Sequence, residues 1–259
     1  MPELPDLQVF SSNLKKAFSG KKVTRASILY GKNFPVTQAS LKSAVVGASV
    51  SDIHREGKEL VFVFDNGNRL ALHMMLKGKL VLFDNKNDAK NTLVEFHFDD
   101  GSGLALTDQL KQARIKLNPE ESVVPDALST KLNAKYLQEA LGRYKGNIKS
   151  FLLDQDLIRG IGNAYSDEIL YVAGISPFSR AQKIPADKIR LLASSIKKVL
   201  KAAEKQIRKI NPEIVGGEER SFLSVHKAGM EKTEKGEIIK VEQLKGRSTY
   251  FTDTQVLYS

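Results

Sequence analysis

The sequence predicts an α+β chain: an N-terminal antiparallel β-sandwich with flanking helices, then a helical region, then a closing β-hairpin. Three observations carry this expectation. Five short runs rich in Val, Leu and Phe crowd the first half, separated by turn residues. A stretch of Pro, Ser and acidic residues without periodicity, NPEESVVPDALST at 118–130, then interrupts the pattern. Beyond it apolar residues recur at helical spacing until the C-terminal segment returns to strand-like alternation.

The elements follow in order. Apolar residues at helical spacing predict a helix over 7–18, closed by Ser19-Gly20. The strands are ELVFVF (59–64), RLALHM (69–74), KLVLF (79–83), TLVEFHF (92–98) and GLALT (103–107), with turn signals DNGN at 65–68 and DDGSG at 99–103. After the linker, AKYLQEALGRY (134–144), IKSFLLDQ (148–155), NAYSDEILYVAG (163–174) and the segment 185–210 each carry an apolar stripe. Pro185 suits the first turn of the last of these. EIIKVEQL (237–244) and RSTYFT (247–252), joined by Lys-Gly, read as a β-hairpin.

Composition narrows the class. In a chain of 259 residues, 41% apolar content suffices for packed cores, so disorder is excluded as the default. No apolar run approaches the roughly 18 residues of a membrane span, and the N-terminus shows no basic-then-apolar leader, so a soluble cytoplasmic protein is expected. The absence of cysteine excludes disulfides, thiolate catalysis and every Cys-based zinc site. A net charge of +10 suits a protein that meets a polyanion, with a generically basic surface as the alternative.

Two stretches carry chemistry. The chain opens MPELPD, and removal of Met1 would leave Pro2 with a terminal secondary amine. LLDQDLIRGIGNAYSDEIL (152–170) places helical patterns on either side of a compact GIGN turn. Asn163 then falls at a helix N-terminus, where free N–H groups suit a phosphate, or it simply caps an αα corner.

Taken with REGKEL (55–60), GGEERSFL (216–223) and GRSTYFTDTQ (246–255), these motifs resemble, in order and along nearly the whole chain, the formamidopyrimidine-DNA glycosylase/endonuclease VIII family of base-excision repair enzymes. The resemblance implies an N-terminal catalytic sandwich (1–117), a linker (118–133), a helix-two-turn-helix domain (134–220) and a finger hairpin (221–259). It also implies that damaged double-stranded DNA is bound between the domains. The implied activity is bifunctional, excising oxidised bases and then cutting at the abasic site by β- or β,δ-elimination. A monomer without cofactor or metal is expected.

Residue roles follow from the same resemblance. Pro2 is the candidate nucleophile; an α-amino group titrates at about 7.7–8.0, against about 10.4 for Lys, and an amine can remain attached to the sugar as an iminium ion. Glu3 matches the proton-transfer residue. Lys58, in the REGKEL turn, matches the Lys beside the leaving base and phosphate. Asn163 and Arg247 match clamps on phosphates flanking the lesion, and Lys149 is a third candidate contact. Leu76, in HMMLKGKL, falls at the position inserted where the lesion is extruded, with core packing as its alternative. His73 either touches a phosphate or is a half-buried strand residue.

The chain also departs from the family. Asp6 stands where the family usually has Glu, and is left outside the catalytic set. The finger's four cysteines are missing, Lys232 and Lys235 lying near the first pair and Thr252 and Thr254 at the second, so a zincless finger is expected. After Thr107-Asp108 the family's Pro, two Arg and Phe are replaced by QLKQA, and Leu110, Lys111 and Gln112 cannot form an Arg fork on the orphaned base. The loop that closes over 8-oxoguanine is absent after GGEERSF. Oxidised pyrimidines, ring-opened purines or hydantoins are therefore expected over 8-oxoguanine. The alternatives are an abasic-site lyase with little glycosylase activity and a non-catalytic binder of damaged DNA.

Overall fold

A computed structural model describes residues 1–32 and 34–259. The chain forms two compact units, one from residues 1–121 with 207–218 and one from 122–206 with 219–259. Among the described residues no helix is long and apolar enough to cross a membrane.

In the first unit α1 (Leu4–Phe18) precedes β1 (Val23–Ile28), α2 (Gln38–Val45), β2 (Val50–Glu56), β3 (Glu59–Phe64), β4 (Arg69–His73), β5 (Lys79–Asp84), β6 (Thr92–Phe98), β7 (Ser102–Thr107) and β8 (Arg114–Leu117). The strands make two antiparallel sheets, ordered β1-β6-β7-β5 and β2-β3-β4-β8. Phe62 and Leu70 of one sheet meet Phe96 and Phe98 of the other around a residual void of only about 10 Å³, so the sheets pack as a sandwich. Phe18 of α1 stacks on Phe98 at 4.4 Å and joins the same core. Each such buried side chain contributes about 1.5–3 kcal/mol.

The five strands read from the sequence are β3 to β7, whereas β1, β2, β8 and α2 escaped that reading. Register shifts between Val23 and Arg25 and between Val50 and Asp52 break the period-2 alternation of β1 and β2. β8 has four residues, and α2 buries only Leu41 and Val45. α1 also starts three residues earlier than its periodicity suggests, because Glu3 acts as N-cap and Pro5 fits its first turn.

The topology places two connections side by side. β4 leads to β5 and β7 leads to β8, each crossing from one sheet to the other, while His73 pairs with Arg114 and Lys79 with Thr107. The turn at 74–78 and the loop at 108–113 are therefore neighbours.

The second unit contains α3 (Ala134–Arg143), α4 (Ile148–Leu153), α5 (Asn163–Ala173), most of α6 (Ala186–Ile210), β9 (Lys240–Leu244) and β10 (Arg247–Phe251). Along α6, Leu192, Ile196, Leu200, Ala203 and Ile207 form the buried stripe that its periodicity predicts. β9 and β10 form the hairpin read from the sequence, and the Lys245-Gly246 turn has positive φ at both positions (50° and 75°), the primed geometry that matches strand twist. β9 is mostly exposed, so the hairpin has little core of its own.

Candidate functional site

At the N-terminus the Glu3 N–H donates to the Asp6 carboxylate at 2.8 Å, and the Glu3 carboxylate accepts from the third helical N–H, completing a capping box. Both carboxyl groups are buried. The shorter Asp6 side chain therefore still reaches the Glu3 backbone. Pro2 lines a cavity of about 310 Å³ together with Met1, Leu76, Lys77, Gly78, Lys79, Gly217 and Glu218. The terminal ammonium of Met1 pairs with the Glu218 carboxylate.

Leu76 occupies the tip of the 74–78 turn. The Gly78 N–H donates to the Met74 carbonyl at 2.9 Å, and a Cβ at Gly78 would stand 2.2 Å from that oxygen, so the turn can close this tightly only with glycine. Leu76 is 55% exposed, which removes core packing as its explanation. In the neighbouring loop the Asp108 carboxylate accepts the N–H groups of Leu110 (2.9 Å), Gln112 (2.7 Å) and Ala113 (2.8 Å). This clamp holds a second exposed leucine, Leu110, where the family pattern has an arginine. The Lys111 ammonium lies 4.2 Å from the Tyr30 ring centroid, a cation–π contact.

Lys58 sits in the two-residue turn between β2 and β3, flanked by the paired Glu56 and Glu59. Burial, and then the cations Lys58, Lys116 and Arg114, push the His73 imidazole down to about 4. His73 is neutral at pH 7, and its Nδ1 accepts the Met75 N–H at 3.0 Å, leaving the proton on Nε2. His73 is half-buried at the end of β4, within a patch of the cations Lys58, Lys116 and Arg114.

In the second unit one face of α5 organises the finger. Gly162 is the N-cap and Asn163 the first helical residue, so the cap is the glycine and not the asparagine. At spacing i, i+4, i+8, Asn163 Nδ2 donates to the Ser248 carbonyl (3.0 Å), Asp167 accepts the Tyr250 N–H (3.0 Å), and the Tyr171 hydroxyl donates to Glu237. The adjacent Glu168 accepts the N–H groups of Ser224 (2.9 Å), Val225 (2.8 Å) and His226 (2.8 Å).

Lys149 requires a correction. It is 1% exposed, and its ammonium lies 2.7 Å from the Asp167 carboxylate and 2.9 Å from Thr249 Oγ1, so it anchors β10 and cannot serve as a phosphate contact. Arg247, in contrast, is exposed at the first position of β10.

At the base of the finger two of the four residues in place of cysteines, Thr252 and Thr254, join a hydrogen-bonded knot. Thr254 Oγ1 donates to Glu237 at 3.0 Å and Thr233 Oγ1 at 3.1 Å, while Thr252 and Thr254 share a bond of 2.8 Å. Tyr171 holds the Glu237 carboxyl below its ordinary range. Among the described residues no group of three or more His, Cys, Asp or Glu could hold a metal ion. Sequence reasoning missed Asp167, Glu168, Tyr171 and Glu237. The one available signal was a Ser-Asp-Glu triplet inside an otherwise apolar helix.

Comparison with known proteins gives a consistent result. The family model described as the formamidopyrimidine-DNA glycosylase N-terminal domain matches residues 1–115, and that described as the formamidopyrimidine-DNA glycosylase H2TH domain matches residues 123–211. The chain is 32% identical to a formamidopyrimidine-DNA glycosylase of Lactobacillus gasseri over 276 aligned positions, covering all of both chains. It is 31% identical to that of Streptococcus pneumoniae over 272, covering 97% of each. Among solved structures it is similar to Lactococcus lactis Fpg in complex with abasic-site DNA (26% identity, TM-score 0.87, 97% and 98% of the two chains). It is also similar to the wild-type Lactococcus lactis protein bound to DNA containing N7-benzyl-Fapy-dG (27% identity, TM-score 0.86, 96% and 97%).

Proposed function

Because the chain belongs to the formamidopyrimidine-DNA glycosylase family and is a base-excision repair glycosylase with abasic-site lyase activity, we propose that Pro2, freed by removal of Met1, is its nucleophile. The observation that carries this reading is the position of Pro2 on the wall of a cavity that also presents the exposed Leu76.

The damaged nucleotide is extruded from the stack because its C1′ cannot be reached inside the duplex. Leu76, held out by a rigid turn, occupies the space left behind. The Pro2 amine bonds to C1′ as the base departs, and proton transfer by Glu3 to the sugar ring oxygen opens the ring to an iminium ion. Elimination from that intermediate cuts the strand. Lys58 and the Nε2–H of neutral His73 act beside the reacting nucleotide, in a patch whose positive charge favours phosphate. Arg247 and Asn163 contact phosphates, their places set by the α5 network.

For the lesion, the reading is ring-opened purines, with oxidised pyrimidines and hydantoins, over 8-oxoguanine. It is supported by the short passage from Phe222 to Gly229, whose residues 224–226 are pinned by Glu168. The 276 aligned positions against 259 residues mean that the Lactobacillus gasseri relative carries segments this chain lacks. Loss of the Arg fork at Leu110 favours weak dependence on the opposite base. It also gives substance to a second reading, an abasic-site lyase with little glycosylase activity. A panel of duplexes bearing each lesion, beside an abasic duplex, tests both. Fastest excision of 8-oxoguanine opposite C would overturn the lesion preference, and cutting of the abasic duplex alone would favour the second reading.

A further inference from the structure

We propose that Glu218 is a second catalytic carboxylate, which pairs with the terminal amine of Pro2 and takes its proton as the amine bonds to C1′. This rests on the reading of Pro2 as nucleophile. Glu218 belongs to the GGEER motif, and its carboxylate is the partner of the Met1 terminal ammonium. Met1, Pro2, Leu76 and Glu218 line one cavity. The segment that brings Glu218 there is seated against β5: a Cβ at Gly216 would lie 2.6 Å from the Leu80 carbonyl oxygen and 3.1 Å from its nitrogen, so only glycine permits that approach.

Glu3 is differently placed. It is 4% exposed, with its carboxylate engaged at the N-cap of α1, whereas the Glu218 side chain is 38% exposed and faces the cavity. Removal of Met1 moves the terminal amine back by one residue, a step of at most about 3.8 Å between α-carbons. That is within the swing of a glutamate side chain. The same carboxylate then meets the new terminal amine.

The proton balance divides the work between two carboxylates. As the neutral Pro2 nitrogen forms its bond to C1′, the glycosidic bond breaks and the base leaves with the electron pair. The nitrogen, now cationic, passes its proton to Glu218. Glu3 supplies the proton that lets the sugar ring oxygen leave, and the nitrogen lone pair forms the iminium. No oxidant or reductant is required.

Borohydride trapping on abasic DNA, followed from pH 5.5 to 9.5 with the Met1-processed protein, tests the assignment. Loss of the anion in Glu218→Gln is expected to move the midpoint of the ascending limb to lower pH, because a neighbouring carboxylate stabilises the ammonium form. The plateau rate is expected to fall by about 10²-fold, the low end for loss of a general base. Glu218→Asp, which keeps the charge, should restore the midpoint. A Glu218→Gln midpoint that does not move, or a plateau that does not fall, overturns the proposal. A Met1-retaining form run in parallel separates the two readings. If it traps as fast as the processed protein, the Pro2 premise fails; if only the processed form traps while Glu218→Gln leaves the profile unchanged, the Glu218 assignment alone fails.

Discussion

The ammonium of Lys149 lies 2.7 Å from the carboxylate of Asp167, with both side chains buried. One ion pair therefore joins α4 to α5, and through Thr249 and Tyr250 both partners hold β10, the strand that presents Arg247. Removing only the cation leaves a buried carboxylate, which costs about 3–5 kcal/mol. Lys149→Met is expected to lower the urea unfolding free energy by that amount. The slope of DNA affinity against salt should not change, because no phosphate contact is lost. Arg247→Ala is expected to do the reverse, with near-normal stability and a slope shallower by about 0.9. A shallower slope for Lys149→Met would reinstate it as a phosphate contact.

Glu237 gathers the hydroxyls of Tyr171, Thr233 and Thr254, the last of which stands where the family pattern has a cysteine. Glu237→Gln can accept from one side only, and should weaken DNA binding by about tenfold while making the 240–247 segment more susceptible to trypsin. Metal chelators should leave wild-type activity unchanged. A chelator-sensitive protein with stoichiometric zinc would contradict the knot as the finger's support.

His73 gives a pH signature. Its folded pKa of about 4 lies below the ordinary 6.5, so between these values the unfolded chain binds the proton more readily. The contribution of His73 is fully present above about pH 6.5 and is lost as pH falls towards 4, up to about 3 kcal/mol in all. His73→Gln should flatten the stability profile in that window relative to wild type. Parallel profiles from chemical denaturation at pH 7 and pH 4.5 would rule the effect out.

Legibility of the sequence depended on how local the determinants are. β3 to β7, α3 to α6 and the hairpin were readable because alternation, helical periodicity and turn residues all lie within the elements themselves. β1 and β2 were not, since a register shift in each destroys the alternation that marks a strand. The residues proposed for catalysis, Pro2, Glu3 and Lys58, stand in short contiguous motifs. Lys149 was misread because a lysine is by default a solvated residue, and its partners are distant in sequence: Asp167 lies on another helix and Thr249 in the finger. The Glu237 knot was invisible for the same reason, Tyr171 and Thr254 being brought together only by the fold of the second unit.

The central claim is that the terminal amine of Pro2 attacks C1′, and the most direct measurement is borohydride trapping of the protein on abasic-site DNA with and without Met1. The account predicts a covalent complex with the processed protein, mapped by mass spectrometry to Pro2, and trapping reduced to background when Met1 or an N-terminal extension is retained. Equal trapping by the extended form, or a cross-link mapped to Lys58, would contradict it.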